Sequence, residues 1–204
     1  MIIVTGAARS GTSLTTRILQ AHGCHLGSTV NGLYENTDVR DGVVKRYLRS
    51  IGADPLGQSI LPDTDNLAYV PGWRKTVERH FRAFPKPWAY KCAKATLIWP
   101  VWHEAFPDAK WIIVRRNKRS IAASCLRSGF MCHYRDIAGW EWWVEEHEKR
   151  FDAMKAAGLD IVEVWPRDYI ADPEAFRPVA DHCGLEFRPE HVTKAIDRNL
   201  YRDA

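Results

Sequence analysis

The first twenty residues constrain the fold of this chain more than any other stretch. Ile2-Ile3-Val4-Thr5 is an apolar, mostly β-branched run, and Gly6-Ala7-Ala8-Arg9-Ser10-Gly11 is a turn bounded by glycines. Leu14, Ile18 and Leu19 then recur at helical spacing as far as Gly23, a good C-terminal stop. The run suits a strand buried on both faces of a parallel sheet. Gly6 and Gly11 let the turn wrap tightly with its N–H groups pointing inward. Such a turn at a helix N-terminus is an anion cradle, because unpaired amides and the positive end of the helix dipole face one point.

The kind of anion is narrowed by the residues inside the turn. A nucleoside-triphosphate P-loop reads G-x-x-x-x-G-K-[ST], its lysine reaching the β- and γ-phosphates. Here Gly11 is followed by Thr12 and Ser13, and the cation stands two residues before the second glycine, as Arg9. That counts against an ordinary NTPase, although a βα turn with glycines for geometry alone reads the same way. A second basic site follows the apolar strand Ala109 to Arg115, where Arg116 precedes a helix predicted over Lys118 to Arg127. An arginine fork can bind phosphate bidentately, although Arg116 alone reads as a surface arginine after a strand and Ser124, on that helix, as a small packing residue.

Together these two stretches resemble one family. Arg9-Ser10-Gly11-Thr12-Ser13 is similar to the 5′-phosphosulfate loop, [K/R]-S-G-T-[ST], of sulfotransferases that use 3′-phosphoadenosine 5′-phosphosulfate (PAPS). Arg116 and Ser124 have the spacing of the arginine and serine that hold the cofactor's 3′-phosphate in that family. The resemblance runs in chain order from residue 1 to about 185. It implies one α/β domain over residues 1–204, three-layered, with a mostly parallel sheet flanked by helices in the P-loop NTPase-like sulfotransferase fold. It implies PAPS as donor, adenosine 3′,5′-bisphosphate as product, and Arg9, Ser10, Gly11, Thr12, Ser13, Arg116 and Ser124 as the cofactor-binding set.

The catalytic residues are read the same way. Gly32-Leu33-Tyr34-Glu35-Asn36 resembles a G-[YF]-[FW]-E-N stretch that follows the first helix in bacterial relatives, which makes Glu35 a candidate base. Unaided, Glu35 and Asn36 read equally as residues opening the helix expected over Asp38 to Ile51. Lys91 ends the short strand Pro87 to Lys91, where α/β sheets bind ligands. The histidine that the cytosolic members carry two residues after this lysine is Ala93 here, so the base falls to Glu35, with Lys91 neutralising the sulfuryl oxygens and Arg9 holding the leaving group. Lys94 reads equally as a solvated lysine. The R-K-G motif those members carry near the C-terminus has no counterpart, and Arg198 and Arg202 are its candidate substitutes.

Residues 54 to 71, rich in Pro, Gly, Asp and Asn, are expected to form a long loop or lid, where the resemblance implies that acceptor choice would lie. The longest helix is expected from Asp136 to Ala157, its buried face carrying Trp140, Trp143, Val144, His147, Phe151 and Met154. With 29 basic against 25 acidic residues the chain is mildly basic, which suits an anionic ligand and not a nucleic acid. Its five cysteines are scattered with no C-x-x-C pair, so reduced thiols in a cytoplasmic protein are expected, without disulfides or a metal site. No signal peptide and no apolar run of spanning length is visible, so no membrane partner is expected. The partner that the resemblance implies is a small-molecule or glycan acceptor. A small-molecule kinase with an aberrant P-loop, or a non-catalytic nucleotide-binding module, are the alternatives. These motifs fix neither the acceptor nor the oligomeric state.

Overall fold

The computed structural model describes residues 1–29 and 34–196. Four strands, β1 (Ile2–Thr5), β2 (Ala89–Lys91), β3 (Lys110–Val114) and β4 (Ile161–Val164), form one sheet in the order β2-β1-β3-β4, every pair parallel. All strands therefore end at the same edge, where the polar residues that follow them collect.

Because successive side chains on a strand face opposite ways, the sheet feeds two cores. Ile3, Tyr90, Trp111 and Ile113 face helix α2 (residues 37–50), α3 (Trp73–Arg79) and α4 (Trp99–Ala105). Phe151 and Met154 of α6 (Ile137–Ala156) close that layer. Ile2, Val4, Ile112 and Val114 face α1 (Thr12–Ala21), α7 (Pro166–Ala171), α8 (Arg177–Cys183) and α9 (Pro189–Ala195). A third cluster joins Ala7 of the first turn to α5 (Lys118–Leu126) and α6 through Ile121, Ala122, Cys125, Trp140, Trp143 and Val144. This is the three-layer α/β architecture that the opening βα unit implies.

Local chemistry sets the element ends. Asn117 accepts a hydrogen bond from Ser120 N and starts α5, and Asp136 accepts one from Gly139 N and starts α6. Asp172 accepts from Glu174 N and opens a 3₁₀ turn, Pro173–Phe176, and the α-helix begins one turn later at Arg177. The chain after β2 likewise winds first as a 3₁₀ segment, Ala93–Ile98, and becomes α only at Trp99, with Pro100 in its first turn. Within α2, residues Arg40–Val44 form a π-turn. Such insertions are frequent beside functional sites.

Candidate active site

Three segments meet at the C-terminal edge of β1 and β3. The turn between β1 and α1 is tight enough to need glycine: a Cβ on Gly6 would lie 2.5 Å from the Val114 carbonyl oxygen and 2.7 Å from Ser10 Oγ. Arg9 has a left-handed backbone, φ 72°, which a residue with a β-carbon adopts only when its surroundings impose it. One imposing contact is visible: Arg116, two residues past β3, donates from Nη1 to the Arg9 carbonyl at 3.1 Å. Arg9 in turn donates from Nε to Ser124 Oγ at 3.0 Å. Arg9, Arg116 and Ser124, the first separated from the others by more than a hundred positions in the chain, are thus one hydrogen-bonded group.

Strand alternation explains why Arg115 is not part of it. Its guanidinium points to the other side, bonded to Glu148 and Glu163 at 3.2 Å each and lying over the Phe151 ring. The apolar strand is followed by two arginines, and the pleat sends one to structure and one to the site.

The loop's remaining groups are arranged as donors. Gly11, φ 108°, caps α1, and the amides of Thr12 and Ser13 in the helix's first turn have no carbonyl a turn behind them. Ser10 is fully buried, and its hydroxyl has no hydrogen-bond partner among the described residues. A buried orphan hydroxyl inside a ring of cations and amides fits a site built for an anion.

Beside the loop lies the second group. Lys91, at the end of β2, donates from Nζ to Glu35 Oε1 at 3.0 Å, and Arg40 donates from Nη1 to Glu35 Oε2 at 3.2 Å. The Glu35 and Lys91 side chains are only 12% and 9% exposed, so the pair is largely withdrawn from water. Burial pushes the Glu35 carboxyl up, but the charges of Lys91 and Lys94 and the hydrogen bonds from Lys91 and Arg40 pull harder and hold it below the usual carboxylate range. It is a carboxylate at neutral pH. Tyr34, immediately before it, also has a left-handed backbone, φ 53°. Gly32 and Leu33 of the resemblance motif, with Asn31 before them, lie outside the described residues, as do Arg198 and Arg202.

One cavity of about 690 Å³ connects both groups. Arg9, Gly11, Thr12, Ser13, Glu35, Lys91 and Arg116 line it; Ser10 and Ser124 do not, though Ser124 is bonded to Arg9, which does. Arg17, Arg40, Lys45 and Lys94 also face it, so among the described residues Glu35 is the single acid against seven cations. The far wall is apolar, formed by Leu56, Leu97, Phe130, Met131 and Trp143.

That wall is built in part from the 54–71 region, which carries one 3₁₀ turn, Thr64–Asn66, and otherwise no regular element. Asp54 accepts three backbone amides, from Leu56, Gln58 and Ser59, and folds the segment on itself. Trp143 donates from Nε1 to the Gly57 carbonyl at 2.8 Å. The buried Gln58 side chain donates to the Phe130 carbonyl at 2.7 Å and accepts from Cys132 N at 2.9 Å. Sequence reading missed these anchors, since a buried glutamine in a loop follows no periodicity. It also missed Arg40, whose signal was its place five residues after Glu35 in a helix about to begin. Among the described residues no group of three or more His, Cys, Asp or Glu side chains is placed to share a metal ion, and no helix is long and apolar enough to cross a membrane.

The same arrangement of strands and helices occurs in solved structures. The chain superposes on the sulfotransferase STF1 of Mycobacterium tuberculosis H37Rv with a TM-score of 0.56 at 19% identity, covering 95% of this chain and 69% of that one. The sulfotransferase domain of the Synechococcus PCC 7002 olefin synthase gives 0.61 at 14% identity, covering 96% and 77%. The sulfotransferase STF9 of Mycobacterium avium gives 0.62 at 15% identity, covering 97% and 66%. At these identities the likeness is one of fold. Among curated proteins none matches the chain by sequence. A profile described as "Sulfotransferase family" matches residues 2–189, nearly the whole length, and the chain therefore belongs to the sulfotransferase family.

Proposed function

We propose that the protein transfers a sulfuryl group from PAPS to a hydroxyl or amine of a small, largely apolar acceptor, in the cytoplasm. Family membership gives the reaction class. The observation that carries the donor is the joining of Arg9, Arg116 and Ser124 into one hydrogen-bonded group beside a buried, unpartnered Ser10 hydroxyl. These residues fit a ligand with two separated anionic ends. The loop amides with Arg9, Ser10, Thr12 and Ser13 would hold the 5′-phosphosulfate, and Arg116 with Ser124 the 3′-phosphate. PAPS supplies the sulfuryl group and leaves as adenosine 3′,5′-bisphosphate.

The chain's own residues then have distinct tasks. Donors fixed around the loop stabilise charge that grows on the departing phosphate oxygen. Lys91, held beside Glu35, adds positive charge near the transferring group. Glu35, ionised at neutral pH, takes the proton of the acceptor. A Lys91 that turns toward sulfuryl oxygens weakens its hold on Glu35 and raises its basicity at the moment it is needed. The apolar wall supports an acceptor with an apolar body, and the five free cysteines suit a reducing compartment.

Calorimetric titration tests the donor. Adenosine 3′,5′-bisphosphate should bind without magnesium, and Arg116→Ala should weaken it by about a hundredfold, the loss of a charge-assisted phosphate contact of about 3 kcal/mol. Binding of ATP with magnesium, and not of the bisphosphate, would replace this reading with a kinase.

A further inference from the structure

Resting on that reading, we infer that His147 is an acceptor-binding residue, and that the acceptor carries a second hydrogen-bond donor, a hydroxyl or N–H, besides the group that receives the sulfuryl. His147 is 1% exposed, yet it lines the cavity from helix α6 on the apolar side. Its Nδ1 lies 2.9 Å from the Trp143 carbonyl oxygen. A carbonyl only accepts, so Nδ1 must carry the proton, and in the neutral ring Nε2 then has a free lone pair. That Nε2 makes no hydrogen bond among the described residues. Burial favours the neutral ring, and with Arg150 near it the imidazole stays unprotonated well into acid.

The surroundings hold this lone pair in place. The ring lies against Trp143, centroids 4.1 Å apart, and Trp143 is itself fixed to the Gly57 carbonyl. Nε2 is not among the fully buried unpartnered atoms, so it opens on the cavity, and a ligand that displaces water from it without supplying a donor leaves it unpaired at a cost. A ligand bearing a donor there removes that cost, and a ligand of the same shape without one does not. Glu35 and His147 line the same cavity, one a charged acceptor for the reacting group and the other a neutral acceptor for a second polar group. The substrate class is therefore an apolar, ring-sized diol or hydroxyamine.

The test uses three probes of one skeleton: naphthalene, 2-naphthol and 2,6-dihydroxynaphthalene. Their binding to the full chain is followed by tryptophan fluorescence, with and without adenosine 3′,5′-bisphosphate. The diol should bind about tenfold more tightly than 2-naphthol. His147→Leu should erase that difference while leaving affinity for the bisphosphate unchanged. In the wild-type protein, the Nε2 resonance of ¹⁵N-labelled His147 should move upfield with the diol and much less with 2-naphthol, a readout that needs no variant to fold. Equal affinities for diol and 2-naphthol, a preference that survives His147→Leu, or an unmoved Nε2 signal would each overturn the inference. Failure of the bisphosphate to bind would refute the donor assignment instead, and the naphthalene series on the free protein would still decide the role of His147.

Discussion

Replacing Glu35 by glutamine separates its structural role from the catalytic one proposed for it, because shape is kept while charge and basicity are lost. The structural cost comes from the largely buried group in which Lys91 and Arg40 both donate to Glu35. In Glu35→Gln the side-chain amide can still accept through one oxygen, but both cations lose their counter-charge. Removing one partner of a buried pair costs about 3 kcal/mol at the lower end of its range. With a melting entropy of about 2.1 cal/mol/K per residue, 204 residues give about 0.43 kcal/mol/K, so the melting temperature should drop by roughly 7 °C. The catalytic cost is separate, since loss of a positioned general base lowers kcat by about 10²–10⁴-fold. The assay is release of adenosine 3′,5′-bisphosphate with 2,6-dihydroxynaphthalene as acceptor, run well below the variant's melting point. Affinity for the bisphosphate should change little. Because Glu35 is held below the usual carboxylate range, the wild-type rate should persist to more acidic pH than a free glutamate allows, and that acid limb should vanish in the variant. A kcat close to that of wild type, in protein that melts lower as expected, refutes Glu35 as base while keeping its structural role.

Gly6→Ala should cost about 3 kcal/mol or more in urea unfolding, since its Cβ would collide with a backbone carbonyl and Ser10 at a backbone angle alanine resists; a loss below about 1 kcal/mol would mean the turn is looser than described. Stability should also fall with acid. Burial lowers His147 from 6.5 to about 4, so between those values the unfolded chain binds a proton that the folded protein does not, and up to about 3 kcal/mol present above pH 6.5 is lost on the way to pH 4. His147→Leu should flatten that slope in a urea series across pH, the remainder coming from His22 and His182, which burial also lowers. Gln58→Leu should raise the KM for the naphthalene diol by roughly threefold or more and leave affinity for the bisphosphate unchanged, as two hydrogen bonds that hold the apolar wall disappear.

The grouping of Arg9, Arg116 and Ser124, the half of the candidate site proposed to hold the donor, was legible because local rules and the family pattern specify it. Glycine spacing, a β-branched run and a strand followed by arginine each announce backbone geometry within a few residues, and the family pattern tied Arg9 to Arg116 and Ser124. The same rules located β1, β3, α5 and α6 to within a residue or two. The other half, proposed to take the acceptor, depends on tertiary pairings that leave no periodic trace. Arg40 joins Glu35 within a helix that contains a π-turn, and Lys91 reaches it from 56 positions away. His147 falls on the buried face of α6, as its spacing predicts, but burial does not say whether a residue meets core or cavity. The 3₁₀ starts at Ala93 and Pro173 escaped because proline position and capping predict that a helix begins, not how tightly its first turn winds.

The fixing of residues 54–62 has an evolutionary corollary. This segment joins the rest of the protein chiefly through side chain-to-carbonyl contacts, from Trp143 to Gly57, from Gln58 to Phe130 and from Arg150 to Pro62. Where the segment supplies only a carbonyl, as at Gly57 and Pro62, the contact places few demands on the residue there, whereas at Gln58 it requires the side chain itself. With Gln58 kept, the rest of the segment is then expected to tolerate exchange as a cassette, while the Gly6 turn, with no room for a Cβ, is expected to stay under constraint. A graft of this stretch between two members of the fold should carry acceptor preference with it and leave donor affinity with the recipient.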